Sequence, residues 1–289
     1  MADAIYAIGY SIGNRNYVIG TGFAAYYTRT IWTNAHVALA LRDRLAELSF
    51  LRPIPFAVKS GTAIGTTRGT YVLRSYLVHP QYTGAASSPD IAVLTVDADM
   101  PSFVHFLPRR YAIHLRVGQP IGTMGFPGEV SHPYTAAPIA TFKDGTISAL
   151  RPFSITETSI TPANSTFVQH NLDLSGGTSG SPIIDHNGWV VAVNNSGTEK
   201  LVVDASTGQP QRIPTGNIGF GIRIDEVWSM IDAIEASRSS LTRVSSSSSR
   251  HPDVYHAFPE NWNGLTYGEK RAAKIEDGLV PQVPEDLGN

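Results

Sequence analysis

The sequence predicts an all-β chain carrying two helices, and three observations support that class. Runs rich in β-branched or aromatic residues recur along it, each bounded by Gly, Pro, Asn or Ser. Only two stretches show the apolar spacing of an amphipathic helix. Its 289 residues, 42% of them hydrophobic, are enough to fill one sizeable core or two small barrels joined as a unit.

The first β-like stretch starts at Ile5–Tyr10, the next is Val18–Tyr27, and a short β-prone run follows at Ile31–Thr33. Residues 36–48 then place Val37, Leu39, Leu41, Leu45 and Leu48 among Arg42, Asp43, Arg44 and Glu47, the pattern of a helix with one buried face. Tyr71–His79, Ile91–Val96, Ile155–Ile160, Thr166–His170, Trp189–Asn194 and Ile218–Ile224 are the further predicted strands. Asp225–Ala236 is the second helix: acidic residues open it, where they complement the helix dipole, and Val227, Trp228, Ile231 and Ile234 fall near one face. Both apolar stripes are expected to pack into the core. Residues 237–250 (SRSSLTRVSSSSSR) are too polar to pack and read as a linker, leaving a C-terminal tail over 251–289. Tyr255, Phe258, Trp262, Leu265 and Tyr267 give that tail enough apolar surface to dock, whereas Val280–Asn289 reads as loose.

A formal net charge of −2, with 16% charged residues and no basic run, argues against nucleic acid or an anionic membrane as the main partner. No apolar stretch reaches membrane-spanning length, and the opening residues lack a basic head followed by an apolar block. A cytoplasmic location is the expectation, or a periplasmic or secreted one if a leader has been removed. The absence of cysteine excludes a thiol nucleophile, disulfides and cysteine-ligated zinc. No cofactor or metal is expected.

Three motifs carry chemistry: TNAHV at Thr33–Val37, SPDIAVL at Ser88–Leu94 and GGTSGSP at Gly176–Pro182. They supply His36, Asp90 and Ser179, the residue types of nucleophilic acyl transfer. A serine hydroxyl is a poor nucleophile at neutral pH, an imidazole must take its proton, and a buried carboxylate must hold the imidazole in the right tautomer. Ser175 and Ser181 compete with Ser179, but only Ser179 has a glycine both two residues before it and immediately after it. With Ser179 as nucleophile, the N–H groups of Gly177 and Ser179 would form an oxyanion hole, and Gly176, Gly177 and Gly180 supply backbone conformations that side chains would obstruct. His36, one of nine histidines, lies at a predicted strand-to-helix corner. Asp90 lies at the mouth of a predicted buried strand, whereas Asp97 and Asp99 follow that strand and read as the turn ending it.

On these motifs the chain resembles the trypsin-like serine peptidases, and most of all the bacterial high-temperature-requirement (HtrA/Deg) branch. GTGF at Gly20–Phe23 with IWTNAHV at Ile31–Val37 is similar to that family's GSGF…LTNAHV opening. LRVGQPIGTMGFPG at Leu115–Gly128, DGTISAL at Asp144–Leu150, VQHNLDLSGGTSGSP at Val168–Pro182 and GFGIRID at Gly219–Asp225 resemble further family segments, so the likeness covers about residues 17–235. It implies two six-stranded antiparallel β-barrels, approximately 1–110 and 111–236, closed by a C-terminal helix and a short tail, with the active site between the barrels. It also implies a serine endopeptidase acting on protein or peptide substrates, alone, under a protein regulator or as a homo-oligomer. A binding protein that keeps the fold without turnover is the alternative. The tail is too short for the PDZ domain of many family members.

In pancreatic-type relatives a freed amino terminus pairs with an aspartate just before the serine; Thr178 stands there, so no such ion pair is expected. The resemblance draws the substrate pocket from Leu172, Asp173, Leu174 and Ser175 before the serine, and Val193, Asn194 and Asn195 after it. Asp173 lies six residues before Ser179, where trypsin carries the carboxylate that selects Arg and Lys, yet the HtrA-type loop implies small aliphatic residues. The glutamyl endopeptidases share the GTSGSP pattern, but their pocket histidine falls near Val193, which cannot bind a carboxylate.

Overall fold

The computed structural model describes residues 1–128, 136–153, 157–172, 176–203, 210–243 and 256–257. Six strands build the first barrel: β1 (Ile5–Ile12), β2 (Arg15–Ala24), β3 (Thr30–Thr33), β4 (Ile54–Lys59), β5 (Thr70–Val78) and β6 (Ala92–Val96), with α1 (Ala35–Glu47) between β3 and β4. They pair in the order β5-β4-β1-β2-β3-β6, and β6 returns to β5 to close the barrel. β7 (His105–Phe106) and the one-turn α2 (Arg109–Ala112) lead to the second barrel, made of β8 (Pro120–Gly125), β9 (Thr141–Arg151), β10 (Phe167–His170), β11 (Pro182–Asp185), β12 (Trp189–Val203) and β13 (Pro210–Arg223). Its order is β11-β8-β9-β10-β13-β12, closed by the β11–β12 pair, and β7 adds to β12 in parallel. α3 (Ile224–Arg243) follows directly.

Successive residues of a strand point to opposite faces, and here each face finds its own core. Tyr6, Ile8 and Tyr10 of β1, with Ala92, Leu94 and Val96 of β6, fill the first barrel beside Leu41 and Leu45 of α1. Their neighbours Ile5, Ala7 and Val93 turn outward into a second cluster that also holds Phe106, Phe126, Val193, Ile222 and Val227. That cluster draws on both barrels and on α3, so apolar burial itself joins the halves. Leu115, Ile121, Ile147, Val168, Ile183 and Val191 form the interior of the second barrel.

Several elements differ from the sequence expectation, among them β4, β8 and β11, which no expected strand covers. Residues 157–160 of the expected strand Ile155–Ile160 form no strand, and Ile160 is 65% exposed. Local side-chain bonds win there: Asn164 accepts from Thr161 N (2.8 Å) and donates to Ser159 O (2.7 Å), folding the chain into a turn. The last helix runs on to Arg243, into the serine-rich stretch expected to be linker from residue 237. In the tail, β14 (His256–Ala257) pairs with Tyr76 and Ser75 of β5. The apolar tail residues Tyr255, Phe258, Trp262, Leu265 and Tyr267 lie outside the described residues.

Candidate active site

Strand register brings His36 and Asp90 together. Thr33 at the end of β3 pairs with Ala92 at the start of β6, so in an antiparallel pair the residues just beyond Thr33 meet those just before Ala92. The chain then turns into α1, whose first N–H groups have no intrahelical acceptor. Asp90 fills that need: its Oδ1 accepts from His36 N at 2.9 Å, and its Oδ2 lies 2.5 Å from His36 Nδ1. One carboxylate therefore caps the helix and orients the imidazole, at the positive end of the helix dipole. Asn34, fully buried, donates from Nδ2 to Asp90 O at 2.8 Å and fixes the backbone as well. The Asp90 side chain is 9% exposed and that of His36 42% exposed, so the carboxylate is shielded while the ring reaches solvent. With Nδ1 carrying the proton toward Asp90, Nε2 is left as the acceptor.

Ser179 is held on the other side by a turn in which four successive peptide planes are tethered. Gly176 O accepts from Gly128 N (2.6 Å), and Gly177 O from Thr21 Oγ1 (2.7 Å). Thr178 O accepts from Asn194 Nδ2 (2.9 Å) and Ser181 N (3.1 Å), and Ser179 O from Thr21 N (2.9 Å). Carbonyl and N–H of a trans peptide point in opposite directions, so the tethers on Gly176 O and Thr178 O aim the N–H groups of Gly177 and Ser179 away from the anchoring segments, and those on Gly177 O and Ser179 O hold the planes that follow. Gly177 has φ +92°, and a Cβ on it would lie 2.3 Å from Phe126 O, so only glycine fits. The turn abuts the first barrel: a Cβ on Gly20 would lie 3.5 Å from Ser179 O and 2.8 Å from a methyl of Val37, the residue after His36. The Ser179 hydroxyl itself donates to Asn195 O at 3.3 Å.

The expected pocket residues divide three ways. Leu172 and Val193 are 1% and 0% exposed and belong to the apolar cores, and Asn195 contributes the carbonyl that receives the Ser179 hydroxyl. Asn194, expected in the pocket, is instead 1% exposed and turned toward Thr178 beneath the Ser179 turn. Asp173, Leu174 and Ser175 lie outside the described residues. Ser181, the rival serine, is fully buried and its hydroxyl has no partner among the described residues, so it is sealed from solvent. The supporting roles of Asn34, Thr21 and Asn194 are not expected from the sequence. The first two residues lie inside the motifs TNAHV and GTGF, where the neighbouring histidine and glycines carry the stronger signal.

Two closed antiparallel barrels, with a His–Asp pair on one and a glycine-flanked serine turn on the other, define the trypsin-like class of fold. The family model for the trypsin-like peptidase domain matches residues 20–193, and the chain belongs to that family. Among solved structures it is similar to Deg5, at 20% identity and TM-score 0.50 over 81% of this chain and 90% of that one. It is similar to the HtrA-type protease AlgW with a decapeptide, at 16% identity and TM-score 0.53 over 81% of this chain and 65% of that one. An inactive mutant form of Rv3671c from M. tuberculosis H37Rv aligns at 17% identity and TM-score 0.50, over 81% of this chain and 88% of that one. No curated protein matches the chain.

Proposed function

We propose that this protein is a serine endopeptidase in which Ser179 attacks the scissile carbonyl, His36 takes and returns the proton, and Asp90 holds the imidazole. The observation that carries this reading is the double contact of Asp90 with His36, at 2.9 and 2.5 Å, which leaves Nε2 free to act as base. Gly177 and Ser179 N–H receive the oxyanion. Protein or peptide chains are the substrates, by analogy with AlgW, which was solved with a decapeptide. Small aliphatic residues precede the cut, as the HtrA-type pattern of the loop before Ser179 implies, and a carboxylate at Asp173 would be costly to bury there without a partner.

One observation favours a second reading, a binding protein without turnover. The Ser179 hydroxyl is bonded to Asn195 O, and that bond must break before the proton can pass to His36. Fluorophosphonate labelling with peptide mass mapping separates the two. The peptidase reading expects a single adduct on Ser179 that is lost in Ser179→Ala and His36→Ala. An unlabelled wild-type protein with no cleavage of a peptide library would leave the binding reading standing.

A further inference from the structure

Thr21 uses every hydrogen-bonding group it has on the active-site turn or its supports. It is fully buried on β2, in the first barrel, yet its N–H donates to Ser179 O (2.9 Å) and its hydroxyl to Gly177 O (2.7 Å), both in the second. Its Oγ1 also accepts from Phe126 N (3.0 Å), and its carbonyl accepts from Thr33 Oγ1 (2.7 Å). The polarity is fixed without ambiguity: Phe126 N–H can only donate, so the threonine hydroxyl must turn its lone pair there and its hydrogen toward Gly177 O.

The consequence concerns the peptide planes on either side of Gly177. One is held by Gly128 N–H on Gly176 O, the other by the Thr21 hydroxyl on Gly177 O. A glycine at φ +92° has no side chain to resist rotation, so its conformation depends on these outside tethers. The Thr21 hydroxyl is a side-chain tether on the second plane, which carries Thr178 N–H and links the plane bearing the Gly177 donor to the plane bearing the Ser179 donor. We infer that Thr21 is a positioning residue for the oxyanion donors, through which the barrel bearing His36 and Asp90 also sets the donor geometry of the barrel bearing Ser179. The inference rests on the peptidase reading above, and its test is built so that the two can fail separately.

Two variants are compared with the wild type: Thr21→Val, which keeps the shape and removes the hydroxyl, and Thr21→Ser, which keeps the hydroxyl. Oxyanion-hole donors act in the transition state, so Thr21→Val is expected to lower kcat about 10–100-fold with KM within about 3-fold. Affinity for a peptide aldehyde, whose adduct carries the oxyanion, should fall in parallel with kcat/KM, and Thr21→Ser should stay within about 3-fold of wild type on every measure. Unchanged kcat in Thr21→Val overturns the inference, as does equal loss in both variants together with equal loss of thermal stability, which would mark a packing role. Amide hydrogen exchange over residues 176–182 gives a readout that needs no turnover. Exchange should quicken at least about 10-fold in Thr21→Val and not in Thr21→Ser, because the turn opens locally once its tether is lost. A wild-type protein that neither cleaves nor labels sinks the peptidase reading and leaves the exchange result to decide Thr21 alone; unaltered exchange would then overturn it.

Discussion

The two sides of the candidate site are held by different means. On the first barrel, His36 and Asp90 are set by strand register and a helix start, and the Asp90 carboxylate bonds both the backbone N–H and the ring of His36. On the second, Ser179 sits in a turn whose shape is maintained by bonds to backbone carbonyls from Thr21, Gly128 and Asn194. The difference teaches where chemistry and folding can be separated. A side-chain change on the first side alters proton handling and leaves the backbone in place, whereas a change of backbone geometry on the second disturbs both.

The largest effects test the first side. Asp90→Asn keeps an oxygen that can accept from His36 N–H, so the helix start should stay capped, but its amide presents N–H to the imidazole and selects the wrong tautomer. The expected loss is about 10⁴ in kcat with a nearly unchanged unfolding temperature, against about 10⁴–10⁶ for Ser179→Ala and His36→Ala. Steady-state kinetics and thermal unfolding measured on the same samples check it. If Asp90→Asn unfolds many degrees earlier, the carboxylate is structural first, and the contrast between the two sides weakens.

Gly177→Ala addresses the second side and should move both quantities. At φ +92° an alanine is strained by about 1–3 kcal/mol, and its Cβ would press within 2.3 Å of Phe126 O, a backbone atom that cannot rotate away. Misplaced oxyanion donors should lower kcat by about 10²–10³ as stability falls. A variant of native stability that retains full kcat would show that the turn does not need this conformation.

How much of each side is legible in the sequence follows from the same contrast. His36, Asp90 and Ser179 stand out because the proposed acyl transfer would demand those residue types beside a strand end, a helix start and glycines, and such local contexts are visible in a sequence. The barrels are legible for a similar reason, since β1 and β6 bury both faces and read as short apolar runs. Asn194 joins the expected pocket because the resemblance marks Val193–Asn195 as a segment without saying which way each side chain points, and its bond to Thr178 O is made only in the closed fold. Thr21 is invisible for a deeper reason, because its partners Gly177 and Ser179 lie more than a hundred residues away and only the closed fold makes them neighbours.

A smaller effect concerns the layer beneath both sides. His79 and His170 are 1% and 0% exposed, and burial lowers each ring to a pKa of about 4. Their unfolded values lie near the ordinary 6.5, so below that pH the unfolded chain binds more protons than the folded one. Stability from the two neutral rings is therefore complete above pH 6.5 and declines as pH falls toward 4. Glu226, facing His79 Nε2 at 3.7 Å, acts in the opposite sense, because burial raises its pKa and favours its protonated form. Urea unfolding at pH 7.5 and 5 should show the loss, and His170→Gln should flatten the slope. An unaltered slope in that variant would mean that His170 does not carry this linkage.

Ser181→Ala should have the smallest effect, and for that reason it sharpens the comparison most. The bonds that Ser181 contributes to the turn come from its backbone, which donates to Thr178 O (3.1 Å) and accepts from Asn194 N (2.8 Å), and alanine keeps both. Its hydroxyl is fully buried without a partner among the described residues, and a Cβ on Gly125 would lie only 2.0 Å from that oxygen, so the group sits in a tight place. A buried hydroxyl left without a partner costs about 1–3 kcal/mol, and deleting it with little change of shape is neutral or stabilising. The variant should unfold at the wild-type temperature or slightly above, keep kcat within about 3-fold and still label at Ser179. Loss of labelling here, with labelling retained in Ser179→Ala, would exchange the roles of the two serines and make the nucleophile a side chain that the folded turn conceals.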